Sequence, residues 1–160
     1  MAPLKIAVAG LGTVGAEVVR LLDRQAELLQ QRCGRPLQVT AISARAKIRD
    51  RGFDPSRYRW FDDAAAMATQ ADADVVVELI GGEDGIARRI VEAAIGARRS
   101  VVTANKALLA RRGTELARRA EEAGVTLNFE AAVAGGIPII KALREGLAAN
   151  RFERIYGILN

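Results

Sequence analysis

The sequence has no histidine and a single cysteine, Cys33. The first absence removes imidazole as a general base or metal ligand, and the second removes an intramolecular disulfide and any cysteine-rich zinc site. Cys33 stands in the polar stretch QQRCGRP with no base beside it in sequence, so it reads as an incidental thiol rather than a nucleophile. Long apolar runs are missing too. The most hydrophobic stretches, such as residues 75–80, fall far short of the roughly 20 residues needed to cross a bilayer. Met1 leads quickly into the apolar run 6–9 and then into glycines, without the h-region or cleavage site of a secretory signal. No membrane partner and a cytoplasmic location are therefore expected. No internal repeat or low-complexity segment stands out beyond an enrichment in alanine and arginine.

What is present suits one globular domain: 160 residues, 50% of them hydrophobic and 27% charged. That is enough chain to bury a core, but short for an enzyme that also carries a separate substrate domain. A formal charge of +5 raises nucleic acid as a partner. The basic residues, however, are interspersed with acidic ones along expected helices, the pattern of solvated faces that help attract an anionic cofactor. No nucleic-acid partner is expected.

Residues 5–9 form a short apolar run closed by Gly10, and Val14, Val18, Leu21 and Leu22 recur at helical spacing. This predicts a strand, a glycine turn and a helix that continues through Leu28 and Leu29 to about residues 34–36. Residues 37–43 alternate as a second strand, and the polar stretch 45–59, with Gly52 and Pro55, reads as a surface connection to a short strand at 58–61. A helix over 63–70 and a strand over 75–80, buried on both faces, follow. Then come a helix over 86–97, a strand over 100–103, a helix over 107–123 and a strand over 125–130. Pro138 fits a first helical turn, with Ile139, Leu143 and Leu147 on one apolar face, and residues 154–159 read as a last strand. The alternation predicts an α/β fold: a doubly wound, Rossmann-type, mostly parallel sheet with helices on both faces.

Gly10, Gly12 and Gly15 spell G-L-G-T-V-G between the first strand and the first helix, the context a dinucleotide fingerprint requires. Gly10 permits the tight turn, Gly12 lets the backbone approach a pyrophosphate, and Gly15 lets the helix pack closely on the strand; Thr13 and Val14 line the turn. An NAD site normally has an acid at the end of the second strand, but this chain reads Ile42, Ser43, Ala44, Arg45. Arg45, with Lys47, suits a 2′-phosphate, which favours NADP; Asp50 keeps NAD open.

Four more segments are informative together: VVVELIGG at 75–82, VVTANKALLA at 101–110, FEAAVAGGIPIIKAL at 129–143 and IYGILN at 155–160. In this order they resemble the homoserine dehydrogenase family from the first strand to the last residue, most weakly across 45–70. The resemblance implies reduction of L-aspartate 4-semialdehyde to L-homoserine, in threonine and methionine biosynthesis, by a full-length homodimer using NADP or NAD. It implies that Ile80 and Gly81 lie along the nicotinamide ribose and that Asn105 and Lys106 border the cofactor. Lys106 is then one of two active-site lysines, the second lying in a segment that would follow Asn160. It also implies a monovalent cation, usually sodium, held largely by main-chain oxygens of Glu130, Val133, Gly135 and Ile137. The expected division is a cofactor domain over 1–150 and, over 151–160, the beginning of a catalytic and dimerisation domain whose remainder is absent. Two rival readings stay open at this point: another NAD(P)-dependent oxidoreductase on the same fold, and a non-enzymatic dinucleotide-sensing module.

Overall fold

The computed structural model describes residues 1–157. Its centre is a six-stranded sheet in which every adjacent pair is parallel. The strands are β1 (Leu4–Ala9), β2 (Leu37–Ser43), β3 (Arg59–Phe61), β4 (Val75–Glu78), β5 (Ser100–Thr103) and β6 (Leu127–Asn128), in the spatial order β3-β2-β1-β4-β5-β6. The chain builds outward from β1 through β2 to β3, then returns to β4 on the other side of β1 and builds outward again. Strand order thus reverses between β1 and β4, and the carboxyl ends of these two strands flank the crevice where doubly wound sheets bind ligands.

The alternation of β1 explains how both faces are filled. Ile6 and Val8 point to one face and pack with Leu11, Val19, Val39, Ile42 and Tyr58. On this face lies α1 (Thr13–Arg24), followed by α2 (Ala26–Cys33). Ala7 and Ala9 point to the other face, where their small side chains leave room for larger ones from α3 (Ala64–Gln70), α4 (Ile86–Gly96) and α5 (Lys106–Ala123). Met67, Ile90, Val91, Ala94, Leu108 and Leu116 fill that side. A right-handed crossover between parallel strands produces this two-faced arrangement as the direction of strand addition changes.

Several expectations need correction. The first helix is not continuous to residue 34: it stops at Arg24, and Gln25, at φ −108° and ψ 22°, separates it from α2. The second piece buries no residue, so its apolar spacing has no surface to hold one helix axis. The strand expected over 75–80 ends at Glu78, and the one expected over 125–130 is only Leu127–Asn128, an edge strand paired to β5 at Val101 and Val102. Glu130 instead opens a 3-10 turn, Glu130–Ala132. Pro138 caps rather than enters a helix: α6 is the short Ile139–Lys141, continued as a π-type turn over Ala142–Gly146, and neither buries a residue. Residues 154–157 form no strand, and 158–160 of that expected strand lie outside the described residues. Among the described residues, no helix is long and apolar enough to cross a membrane.

Candidate cofactor site

The glycine turn is held tightly at two of its three glycines and open at the third. Gly10 has φ +95°, donates its N–H to the Ser43 carbonyl at 2.9 Å, and lies so close to β4's exit that a Cβ would meet the Leu79 carbonyl at 2.8 Å and Ile80 Cγ1 at 2.9 Å. A Cβ on Gly15 would overlap the Gly10 carbonyl. Packing alone therefore demands glycine at both positions. Gly12 differs, because a Cβ there would meet no protein atom within 4 Å. It caps α1 without any side-chain hydrogen bond, which leaves the first-turn N–H groups of that helix for an anion. Thr13 and Val14 are exposed on the same turn, Val14 at 60%.

Around this turn lies a cleft of about 670 Å³. Gly10, Leu11 and Gly12 form its floor, Ser43 to Ala46 its β2 rim, and Leu79, Ile80 and Ile86 its β4 side. Arg45, Arg49, Arg51 and Arg89 also line it, making it basic. Two acids are present but already engaged. Asp63 caps α3 by accepting from Ala65 N at 2.8 Å, and Asp62 accepts from Trp60 Nε1 at 2.8 Å.

Sequence reasoning missed Arg51, which is buried to 7% exposure. Its guanidinium donates to the carbonyls of Leu11 (3.3 Å), Lys47 (3.3 Å), Arg49 (3.0 Å) and Ala46, and stacks 5.6 Å from the Trp60 ring. Burial first, and the Arg49 charge second, hold its pKa below the ordinary guanidinium value. Arg51 thus ties the loop carrying Arg45 to the glycine turn. An arginine in an arginine-rich loop gives no sequence signal for such a role.

Glu78 was missed as well, although here a signal existed. A carboxylate inside an otherwise β-branched, fully buried strand must have partners. It is 0% exposed; Oε1 accepts from the N–H groups of Ile80 (2.7 Å) and Gly81 (3.1 Å), and Oε2 from Thr103 Oγ1 (2.6 Å). Thr103 Oγ1 in turn accepts from Asn105 N at 3.0 Å. Asn105 caps α5 by accepting from Leu108 N at 3.1 Å, while its Nδ2 donates to the Gly82 carbonyl at 2.6 Å.

The remaining candidates lie apart from the main cleft. Lys106 is the first residue of α5, exposed, and opens onto a second groove of about 520 Å³ with Leu109, Gly113, Phe129 and Val133. The structure therefore gathers Gly10, Gly12, Arg45 and Ile80 in one cleft and Lys106 with Val133 in another, while Asn105, next to Lys106 in the chain, is hydrogen-bonded to Gly82. In the segment 130–137, the Glu130 carbonyl accepts from Val133 N (3.1 Å) and the Ile137 carbonyl from Ile139 N (2.7 Å). Four backbone oxygens in an irregular loop are the donor type a hard cation takes. Two of the four already accept hydrogen bonds, and each carbonyl has a second lone pair.

The family model described as "Homoserine dehydrogenase, NAD binding domain" matches residues 10–130, the stretch from the glycine turn to the loop after β6. The chain belongs to this family. It is 48% identical to the homoserine dehydrogenase of Pseudomonas aeruginosa and 47% identical to that of Neisseria gonorrhoeae, in each case over 100% of this chain and 36% of the relative. The chain thus spans about a third of the length of these curated relatives. Among solved structures, a homoserine dehydrogenase from Thiobacillus denitrificans superposes with a TM-score of 0.84 at 43% identity, covering 94% of this chain and 35% of that one. The Rossmann-type sheet and its place as a nicotinamide-dinucleotide-binding domain of homoserine dehydrogenases are thereby shown.

Proposed function

We propose that this chain is the cofactor-binding part of a homoserine dehydrogenase that reduces L-aspartate 4-semialdehyde to L-homoserine with NADPH in preference to NADH. The observation that carries the reading is the open Gly12 at the mouth of a basic cleft, a cradle that protein atoms leave empty and a pyrophosphate would fill. Arg45 on the β2 rim, where NAD sites carry an acid, supports the preference for a 2′-phosphate. Cytoplasmic location, a full-length homodimer and a role in threonine and methionine biosynthesis go with this reading. So does residues 151–160 as the start of a catalytic domain.

When bound, the nicotinamide supplies the hydride. The chain's own residues bind and orient. First-turn N–H groups of α1 would hold the pyrophosphate, and Ile80 and Gly81 would let the nicotinamide ribose approach the backbone. Lys106, beginning α5 beyond the 79–82 turn, would supply an ammonium to the negative charge that grows on the aldehyde oxygen and the proton that the alkoxide takes up. Main-chain oxygens of Glu130, Val133, Gly135 and Ile137 are the proposed holders of a sodium ion that orders the loop beside Lys106.

Two measurements test this. Titration of the chain with NADPH and NADH, followed by the fluorescence of its single tryptophan, Trp60, should show tighter NADPH binding. Arg45→Ala should erase that preference, a loss of about tenfold or more for NADPH alone. For the reaction, the chain is substituted for the matched third of the Pseudomonas aeruginosa enzyme. Semialdehyde reduction should survive, and Lys106→Met should lower kcat by about a hundredfold or more. A chimera that binds NADPH but is indifferent to Lys106 would remove the lysine from the mechanism.

A further inference from the structure

We propose that Glu78 is a positioning residue that sets the nicotinamide half of the cofactor site; the proposal rests on the dinucleotide reading above. Beyond the end of β4 the chain leaves the sheet, and Gly81 and Gly82 take φ of +83° and +92°. The N–H groups of Ile80 and Gly81 have no ladder partner there, and the Glu78 carboxylate receives both. Its second oxygen receives the Thr103 hydroxyl at the end of β5. Thr103 then holds the Asn105 N–H, and Asn105 grips the Gly82 carbonyl while capping the helix that begins with Lys106. One fully buried side chain thereby fixes the wall formed by Ile80 and Gly81 and, through two further residues, the start of α5. The ion pairs that follow this turn, Glu83 to Arg111 at 3.1 Å and Asp84 to Arg88 at 3.7 Å, are largely exposed and weak by comparison.

The location of this brace makes the proposal specific. In a doubly wound sheet the adenosine half of a dinucleotide lies toward the end of β2 and the other half crosses toward β4. The hydrogen bonds of the Glu78 side chain go to Ile80, Gly81 and Thr103 and not to the β2 rim, where Arg51 holds the loop instead. A loss of Glu78 should therefore be felt by the nicotinamide half and not by the adenosine half.

The test compares each dinucleotide with its counterpart lacking nicotinamide: NADPH with 2′-phospho-ADP-ribose, and NADH with ADP-ribose. Glu78→Ala and Thr103→Val should weaken dinucleotide binding about tenfold and fragment binding less than about twofold. Glu78→Gln, which keeps an acceptor for the two N–H groups, should recover most of the dinucleotide affinity. Equal loss for dinucleotide and fragment, or no loss for either, would overturn the proposal and leave Glu78 a general stabiliser or a bystander. If Glu78→Ala fails to fold by circular dichroism, Thr103→Val and Glu78→Gln still decide, since both preserve shape. Should the unsubstituted chain, folded, bind neither dinucleotide nor fragment, the cofactor reading itself falls and this proposal with it.

Discussion

Helix α5 and the segment 139–147 carry similar apolar spacing and meet opposite fates. In α5, Leu108, Leu116 and Ala120 follow a helical stripe and are buried against the sheet. In α6 and the turn after it, Ile139, Leu143 and Leu147 follow the same kind of stripe, yet Ile139 is 39% and Leu147 42% exposed. Phe152, Ile155 and Tyr156 are exposed as well. Both stripes are built of aliphatic residues. They differ in what lies beneath: α5 crosses between two paired strands and is pressed onto the sheet, whereas the later segment follows the edge strand β6 and joins neither apolar cluster of the described residues. Amphipathic spacing makes a helix stable only where tertiary packing receives its face.

The largest expected effect breaks the well-packed region. Ile90→Ala, at a fully buried site beneath the sheet, should cost about 3 kcal/mol in urea unfolding. Less than about 1 kcal/mol would mean that the α4 face is far more yielding than its burial suggests. Next comes Gly12→Ala, which sharpens the distinction between packing and binding. The free chain should keep its stability, since the new Cβ meets open space, while dinucleotide affinity drops about tenfold or more. A matching loss of stability would show instead that Gly12, like Gly15, serves packing.

Tyr58 offers a smaller effect with a pH dependence. Its hydroxyl donates to Asp23 Oδ2 at 2.6 Å, joining the β2–β3 connection to the end of α1. Burial first, then the bond to Asp23, pushes its pKa from 10.0 up to about 12. A raised folded-state value stabilises fully below the unfolded pKa and is lost as pH rises through the folded one. Stability should therefore decline between pH 10 and about 12. Tyr58→Phe should cost about 1 kcal/mol at neutral pH and flatten that decline; an unchanged decline would assign it to other groups. The smallest effect lies in the second region. Leu147→Ala should change stability by no more than about 0.5 kcal/mol, and a core-sized loss would show that its face is buried after all.

The glycine turn was readable because its requirements are local: a strand, a tight bend and a helix start fall within a few residues of chain, and the packing at Gly10 and Gly15 admits no side chain. The parallel sheet was readable for a related reason, since alternation of strand and helix over 1–128 leaves few topologies once crossovers are right-handed. Strand ends were not readable. β4 stops at Glu78 because that side chain turns back to bind the next two N–H groups, and β6, an edge strand among the described residues, gives way after two residues to the 3-10 turn at Glu130. The break at Gln25 escaped notice because apolar spacing continues across it while burial does not.

By itself the sequence determined the α/β class, the order of the strands, the dinucleotide fingerprint and the family resemblance. All of these depend on residue identity at short range. Only the tertiary structure decided that Arg51 ties the Arg45 loop to the glycine turn, and that Glu78, Thr103 and Asn105, from two strands and a helix cap, form one brace. It also decided that Lys106 opens onto a groove separate from the cleft holding Gly12. The links from Arg51 to Leu11, Glu78 to Thr103 and Asn105 to Gly82 join residues more than 20 positions apart, and a buried polar group finds its partner by where the strands place it, which no local spacing encodes.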